Sequence, residues 1–79
     1  MKTIEIYTTP WCAYCKMAKE YFKKNGIAYT EHDVAEDPVK RQEMIDKTQQ
    51  MGVPVIIIDG KIVIGFDREK IAELLNLNR

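Results

Sequence analysis

The sequence predicts an α/β domain of order β-α-β-α-β-β-α, a four-stranded mixed sheet with helices on both faces. Three observations carry this expectation. The chain opens with alternating apolar and polar residues over Lys2 to Thr8, the period of a strand. Val53 to Ile58 is a nearly continuous apolar run, the mark of a strand covered on both faces. Around these lie three segments with helical start or stop signals.

In the first strand, Ile4 and Ile6 alternate with Thr3, Glu5 and Tyr7. Thr9-Pro10 breaks the ladder, and a helix is expected from about Ala13 to Asn25. Its apolar face carries Ala18, Tyr21 and Phe22. Lys16, Lys19 and Lys23 line the opposite side, most simply as a solvated face, with weak steering of anionic partners as the alternative. Asn25-Gly26 is the stop, because glycine just past a helix tolerates the left-handed conformation. A second strand fits Ala28 to Val34. Asp37-Pro38 opens the next helix, with Asp as N-cap and Pro where its missing N–H costs nothing. That helix runs to about Gln49, weakly amphipathic through Met44, Ile45 and Thr48, and Met51-Gly52 ends it. After the apolar run, Asp59-Gly60 is a two-residue hairpin signal, and Ile62 to Ile64 returns. Asp67 caps a last helix whose Ile71, Leu74 and Leu75 fall at i, i+3 and i+4. The first βαβ unit is then parallel and right-handed, and the last two strands form an antiparallel hairpin.

The 79 residues suit one domain, 1–79. Twelve Lys and Arg balance twelve Asp and Glu, which argues against a nucleic-acid binder with its basic excess. No apolar run approaches the ~18–20 residues that span a bilayer. The N-terminal residues Met1 to Glu5 carry no export-signal pattern, so a cytoplasmic location is expected. Two cysteines are too few for a secreted disulfide framework, and in a reducing cytosol a close pair is more often catalytic or metal-binding than structural.

Cys12-Ala13-Tyr14-Cys15 stands where the first strand meets the first helix, the placement of a redox motif in a βαβ unit. At a helix N-terminus, unpaired N–H groups and the helix dipole stabilise an anion, and thiolate is the nucleophilic form of cysteine. Cys15, Ala18 and Phe22 are spaced i, i+3 and i+7, which turns Cys15 toward the core. Cys12 is then the exposed attacking thiol and Cys15 the buried resolving one. A zinc site needs four ligands, and only His32 joins the two cysteines as an obvious candidate. No metal ligands are therefore assigned. His32 is read as an ordinary strand residue, Met44 and Met51 as core filler, and Tyr7 and Trp11 as packing residues.

With this cysteine pair, Val53-Pro54 and Gly65-Phe66-Asp67 in place, the whole chain resembles a glutaredoxin, which implies the thioredoxin fold from first strand to last helix. The resemblance also implies that the Val53–Pro54 peptide is cis and lies against the cysteines. The Val53 N–H and C=O would then pair with a substrate strand. Local sequence alone also allows an edge-strand proline. Gly65, Phe66 and Asp67 would bind the γ-glutamyl end of glutathione, a role compatible with Asp67 as N-cap. Arg41 or Gln42 would take the glycyl carboxylate, although an arginine there is often just solvated. Tyr14, partly exposed, would line the peptide or glutathione groove.

The chain also departs from the family pattern. Ile64-Gly65 replaces a Gly-Gly pair, Arg68 a second acid, Gly52 a threonine, and Thr9 a basic residue. These departures, with Gly65-Phe66 followed by Lys70, resemble the NrdH-redoxins, which are reduced by thioredoxin reductase and feed ribonucleotide reductase, while Trp11 before Cys12 is similar to thioredoxin. Ala13, where the family often has proline, is associated with members that hold an iron–sulfur cluster between two chains through Cys12 and glutathione. Otherwise position 13 tunes redox potential. The resemblance thus implies a small, monomeric thiol–disulfide oxidoreductase with no tightly bound cofactor. Its reductant would be glutathione, as co-substrate, or thioredoxin reductase, and its substrates disulfide-bearing proteins, with ribonucleotide reductase among the candidates. A homodimeric iron–sulfur module is the alternative from another class.

Overall fold

The computed structural model describes residues 3–76, so the expected strand start at Lys2 lies outside the described residues. The elements are β1 (Ile4–Thr8), α1 (Ala13–Lys24), β2 (Thr30–Asp33), α2 (Pro38–Thr48), β3 (Val55–Ile58), β4 (Lys61–Ile64) and α3 (Arg68–Leu74). The sheet order is β2-β1-β3-β4, with β1 and β2 parallel and the other two pairs antiparallel. This is the expected four-stranded mixed sheet.

The two central strands are covered on both faces, and their side chains divide accordingly. Ile4, Ile6, Ile56 and Ile58 pack with Ala18 and Phe22 of α1 and Ile71 of α3. On the other face, Tyr7, Val55 and Ile57 pack with Val34 and with Met44 of α2. Tyr7 is buried because α2 closes the second face, and Thr8 is buried on the first face, which it shares by alternation with Ile4 and Ile6.

Several boundaries shift for local reasons. The second strand spans only Thr30–Asp33, since β1 offers partners from Glu5 to Thr8 alone. Helix α2 ends at about Gln49 as expected, but its stop is Gln49 itself, whose φ of 60° is left-handed, and not Met51-Gly52. Thr48 closes this end, its hydroxyl donating to the Met44 carbonyl and accepting the Gln50 N–H. Strand β3 starts two residues late, because Val53 and Pro54 precede the ladder and proline has no N–H for it. Strand β4 starts one residue early, at Lys61. At the hairpin, Asp59 and Gly60 both have positive φ, 51° and 85°, as the expected tight turn requires.

Two packing expectations fail. Met51 is 67% exposed, because α2 has already ended and the chain there runs over the surface; Trp11 is 77% exposed in the turn before α1. Tyr7 is buried as expected, and its hydroxyl donates to Glu43 Oε1 at 2.9 Å. That hydrogen bond and the Lys40 ammonium hold the Glu43 carboxyl down to about 2. Burial first, and then Glu43, pushes the Tyr7 hydroxyl above its usual range.

Met44→Ala should cost about 2–5 kcal/mol, as for other buried side chains cut to alanine. Met51→Ala should stay within about 0.5 kcal/mol. Urea unfolding of both variants checks this, and equal costs would contradict the packing. Glu43 has a lower pKa folded than unfolded. It therefore stabilises the fold above its unfolded value of about 4.3, and this contribution is lost as pH falls toward about 2. The difference in urea midpoint between the protein and Glu43→Gln should accordingly shrink between about pH 5 and about pH 2. An unchanged difference would remove the carboxylate from the account.

Candidate active site

Cys12 is the N-cap of α1, with extended backbone at φ −88° and ψ 112°. Its Sγ accepts the Cys15 N–H at 3.1 Å, as a side-chain oxygen does at an ordinary N-cap. The Cys12 N–H in turn reaches the Thr9 carbonyl at 3.3 Å, and its carbonyl accepts the Lys16 N–H at 3.2 Å. The half-exposed sulfur thus sits on the positive end of the helix. Cys15, one turn in, is fully buried. Burial above all, and then its neighbour Cys12, pushes its thiol up to about 12. Both cysteines are free thiols. The two sulfurs are therefore unequal in access, as the helical spacing predicted.

The Val53–Pro54 peptide is cis, as the resemblance implied. The Cys12 thiol donates toward the Val53 carbonyl at 3.7 Å. Pro54 is tied onward, since its carbonyl accepts the Gly65 N–H at 2.8 Å. Gly65 turns with φ +76°, a left-handed conformation that disfavours any side chain there. Phe66 packs edge-on against Tyr21, ring centroids 5.8 Å apart. Asp67 caps α3, its carboxylate accepting the Lys70 N–H at 3.2 Å. Cys12, Cys15, Val53, Pro54 and Gly65 form one connected group, and Phe66 and Asp67 continue it along the chain.

Tyr14 is 63% exposed on the first turn of α1. Arg41 is exposed near the start of α2. Among the described residues, no side-chain hydrogen bond or ion pair joins either of them to this group. His32 is engaged elsewhere, with its Nε2 3.0 Å from Glu5 Oε1 and its ring 5.0 Å from Tyr7. Among the described residues, no cluster of three or more His, Cys, Asp or Glu is placed to hold a metal ion.

The sequence reading missed a polar cluster beside α1. The hydroxyl of buried Thr8 donates to Glu31 Oε2 at 2.7 Å, and Lys19 Nζ reaches the same oxygen at 2.9 Å. The neighbouring Thr9 hydroxyl oxygen is buried without a hydrogen-bond partner. No local pattern signals these contacts, because Thr8, Lys19 and Glu31 come from three different elements.

The glutaredoxin family model matches residues 4–63. A glutaredoxin-like 8.6 kDa protein of the rubredoxin operon of Clostridium pasteurianum is 46% identical over 72 residues, covering 91% of this chain and 96% of that one. Glutaredoxin 3 of Escherichia coli (strain K12) is 36% identical over 67 residues, 85% of this chain and 81% of its own. The glutaredoxin-like protein NrdH of Lactococcus lactis subsp. cremoris is 31% identical over 74 residues, 90% and 97% of the two chains. In three dimensions, a crystal structure of a mutant of the thioredoxin-like protein BC3987 superposes with a TM-score of 0.91 at 40% identity, covering 99% of this chain and all of that one. The chain belongs to the glutaredoxin family, as a small thiol–disulfide redox protein of the thioredoxin fold.

Proposed function

We propose that the protein reduces disulfides by dithiol exchange, with Cys12 attacking and Cys15 resolving. The observation that carries this reading is the inequality of the two sulfurs: one half-exposed at a helix N-terminus, the other buried with its thiol pushed up to about 12. Cys12 as thiolate attacks one sulfur of a substrate disulfide and releases the other as a thiolate. Cys15 then displaces the remaining substrate sulfur, leaving a Cys12–Cys15 disulfide. The Val53 backbone beside Cys12 docks an extended substrate segment by main-chain pairing. Its fixed link through Pro54 to Gly65 supports a rigid platform. The dithiol works as a single-domain monomer in a reducing compartment, the cytoplasm.

Glutathione is the first choice of reductant. Gly65, Phe66 and Asp67 follow directly on the Pro54 carbonyl contact, within one continuous stretch that would hold the γ-glutamyl end. Arg41 is the proposed partner of the glycyl carboxylate, and Tyr14 the aromatic wall of the groove. The second reading, reduction by thioredoxin reductase, is favoured by a specific observation. Arg68 follows Asp67 where a second acid would strengthen glutathione binding, and Ile64 stands in place of a glycine. A relative named NrdH supports the same reading.

NADPH consumption by the oxidised protein separates these readings. One mixture contains glutathione with glutathione reductase, the other thioredoxin reductase alone. Fast turnover in the first alone supports a working tripeptide site. Fast turnover in the second alone replaces glutathione by thioredoxin reductase. Cys12→Ser should abolish exchange in both mixtures. Cys15→Ser should keep glutathione-dependent turnover and accumulate mixed disulfides with protein substrates. Residual exchange by Cys12→Ser would overturn the assignment of the attacking thiol.

A further inference from the structure

The cluster of Thr8, Lys19 and Glu31 lies against the cysteine helix, and the exchange steps above leave it without a role. Lys19 follows Cys15 by four residues on α1, one turn along the same face. Its ammonium is drawn to Glu31 Oε2 at 2.9 Å, and its side chain is only 26% exposed. Glu31 is held in turn by the Thr8 hydroxyl, and Thr8 is 1% exposed at the end of the central strand β1. Lys19 is therefore no freely solvated member of a lysine stripe. A buried group on β1 fixes Glu31, and Glu31 fixes the charge one turn beyond the buried sulfur.

A buried thiol has to lose its proton before it can attack. In surroundings less polar than water, a nearby charge acts on that loss more strongly than it would in solution. Lys19 favours the Cys15 thiolate, and by Coulomb's law a carboxylate 2.9 Å from that ammonium offsets part of its field. Both partners are charged near neutral pH. The Glu31 contact raises the Lys19 ammonium; burial raises the Glu31 carboxyl, but hydrogen bonds from Thr8 and Lys19 outweigh it and leave it below the usual range. The other titratable groups facing the cluster are Cys12 beside Cys15, Tyr29 beside Lys19, and Lys23 beside Glu31.

We propose that Lys19 and Glu31 form a charge couple that sets how fast Cys15 resolves the mixed disulfide, Lys19 promoting the step and Glu31 restraining it. The inference rests on the reading of Cys15 as the resolving thiol. In that step the Cys15 proton passes to water and its sulfur attacks Cys12 Sγ. The Cys12–Cys15 bond forms as the bond from Cys12 to the substrate sulfur breaks. The substrate leaves as a thiolate with the bonding electron pair, so it is reduced and the two cysteines are oxidised. Lys19 and Glu31 touch none of the reacting atoms and are positioning residues.

Stopped-flow reaction of the reduced protein with dithiobis(nitrobenzoate) tests this. Each chain releases one coloured thiolate when Cys12 attacks and a second when Cys15 resolves. Lys19→Met should slow the second phase by about threefold or more and move its pH midpoint upward. Glu31→Gln, which keeps an oxygen for Thr8 and Lys19, should speed that phase and move the midpoint downward. Lys19→Arg should restore the original rate. If both neutral variants shift the second phase in the same direction, or neither shifts it, the charge couple is overturned. A different result marks failure of the underlying reading. If Cys15→Ser still releases two thiolates, or the second phase scales with reagent concentration, Cys15 does not resolve and the inference falls with it.

Discussion

Helix α1 begins one residue after Cys12, and that boundary divides two thiols that the sequence presents as a pair. On the near side, the Cys12 sulfur takes the place of a capping oxygen and accepts the Cys15 N–H. On the far side, Cys15 is carried by the helix into a fully buried position. The first sulfur stands at the positive end of the helix, while burial disfavours negative charge at the second. One capping geometry therefore gives two identical side chains different surroundings. Much of the rest of the fold holds that geometry. The helix is pinned to the sheet through Ala18 and Phe22 against Ile4, Ile6, Ile56 and Ile58. The Val53 carbonyl is brought to Cys12 from the segment entering β3.

The opposite face of the sheet serves the site less directly. Met44 of α2 packs with Tyr7, Val55 and Ile57, and Val53 lies against this group. The Tyr7–Glu43 hydrogen bond adds a polar tie between β1 and α2. The residue that faces Cys12 is thus also part of the second hydrophobic cluster. In this way the packing of α2 bears on the backbone that a substrate would meet.

Periodicity and capping chemistry made the element order and the position of the cysteines legible in the sequence. Asp37-Pro38, Asp59-Gly60 and Asp67 each carry a local signal, and each does locally what its chemistry predicts. Element ends were less legible, because they depend on partners. The second strand is cut to the residues β1 can pair, and α2 ends on a left-handed glutamine instead of the nearby glycine. Side chains misplaced by the sequence reading sit where no periodicity applies. Trp11 lies in a turn and Met51 in a connection, so their apolar character says nothing about burial. At the site, Cys12, Cys15, Val53, Pro54 and Gly65 come together as one connected group. The Lys19–Glu31–Thr8 contacts were invisible, because they join three elements through sheet register and helix phase at once.

The central claim is that capping at the helix N-terminus leaves Cys12 accessible while packing of the helix on the core protects Cys15. Its most direct test is brief alkylation of the reduced, folded protein with iodoacetamide at neutral pH, with the modified cysteine located by peptide mass mapping. The account predicts that Cys12 is labelled first and that Cys15 is labelled only after unfolding or at strongly alkaline pH. Labelling of Cys15 first, or of both at equal rates, would contradict it.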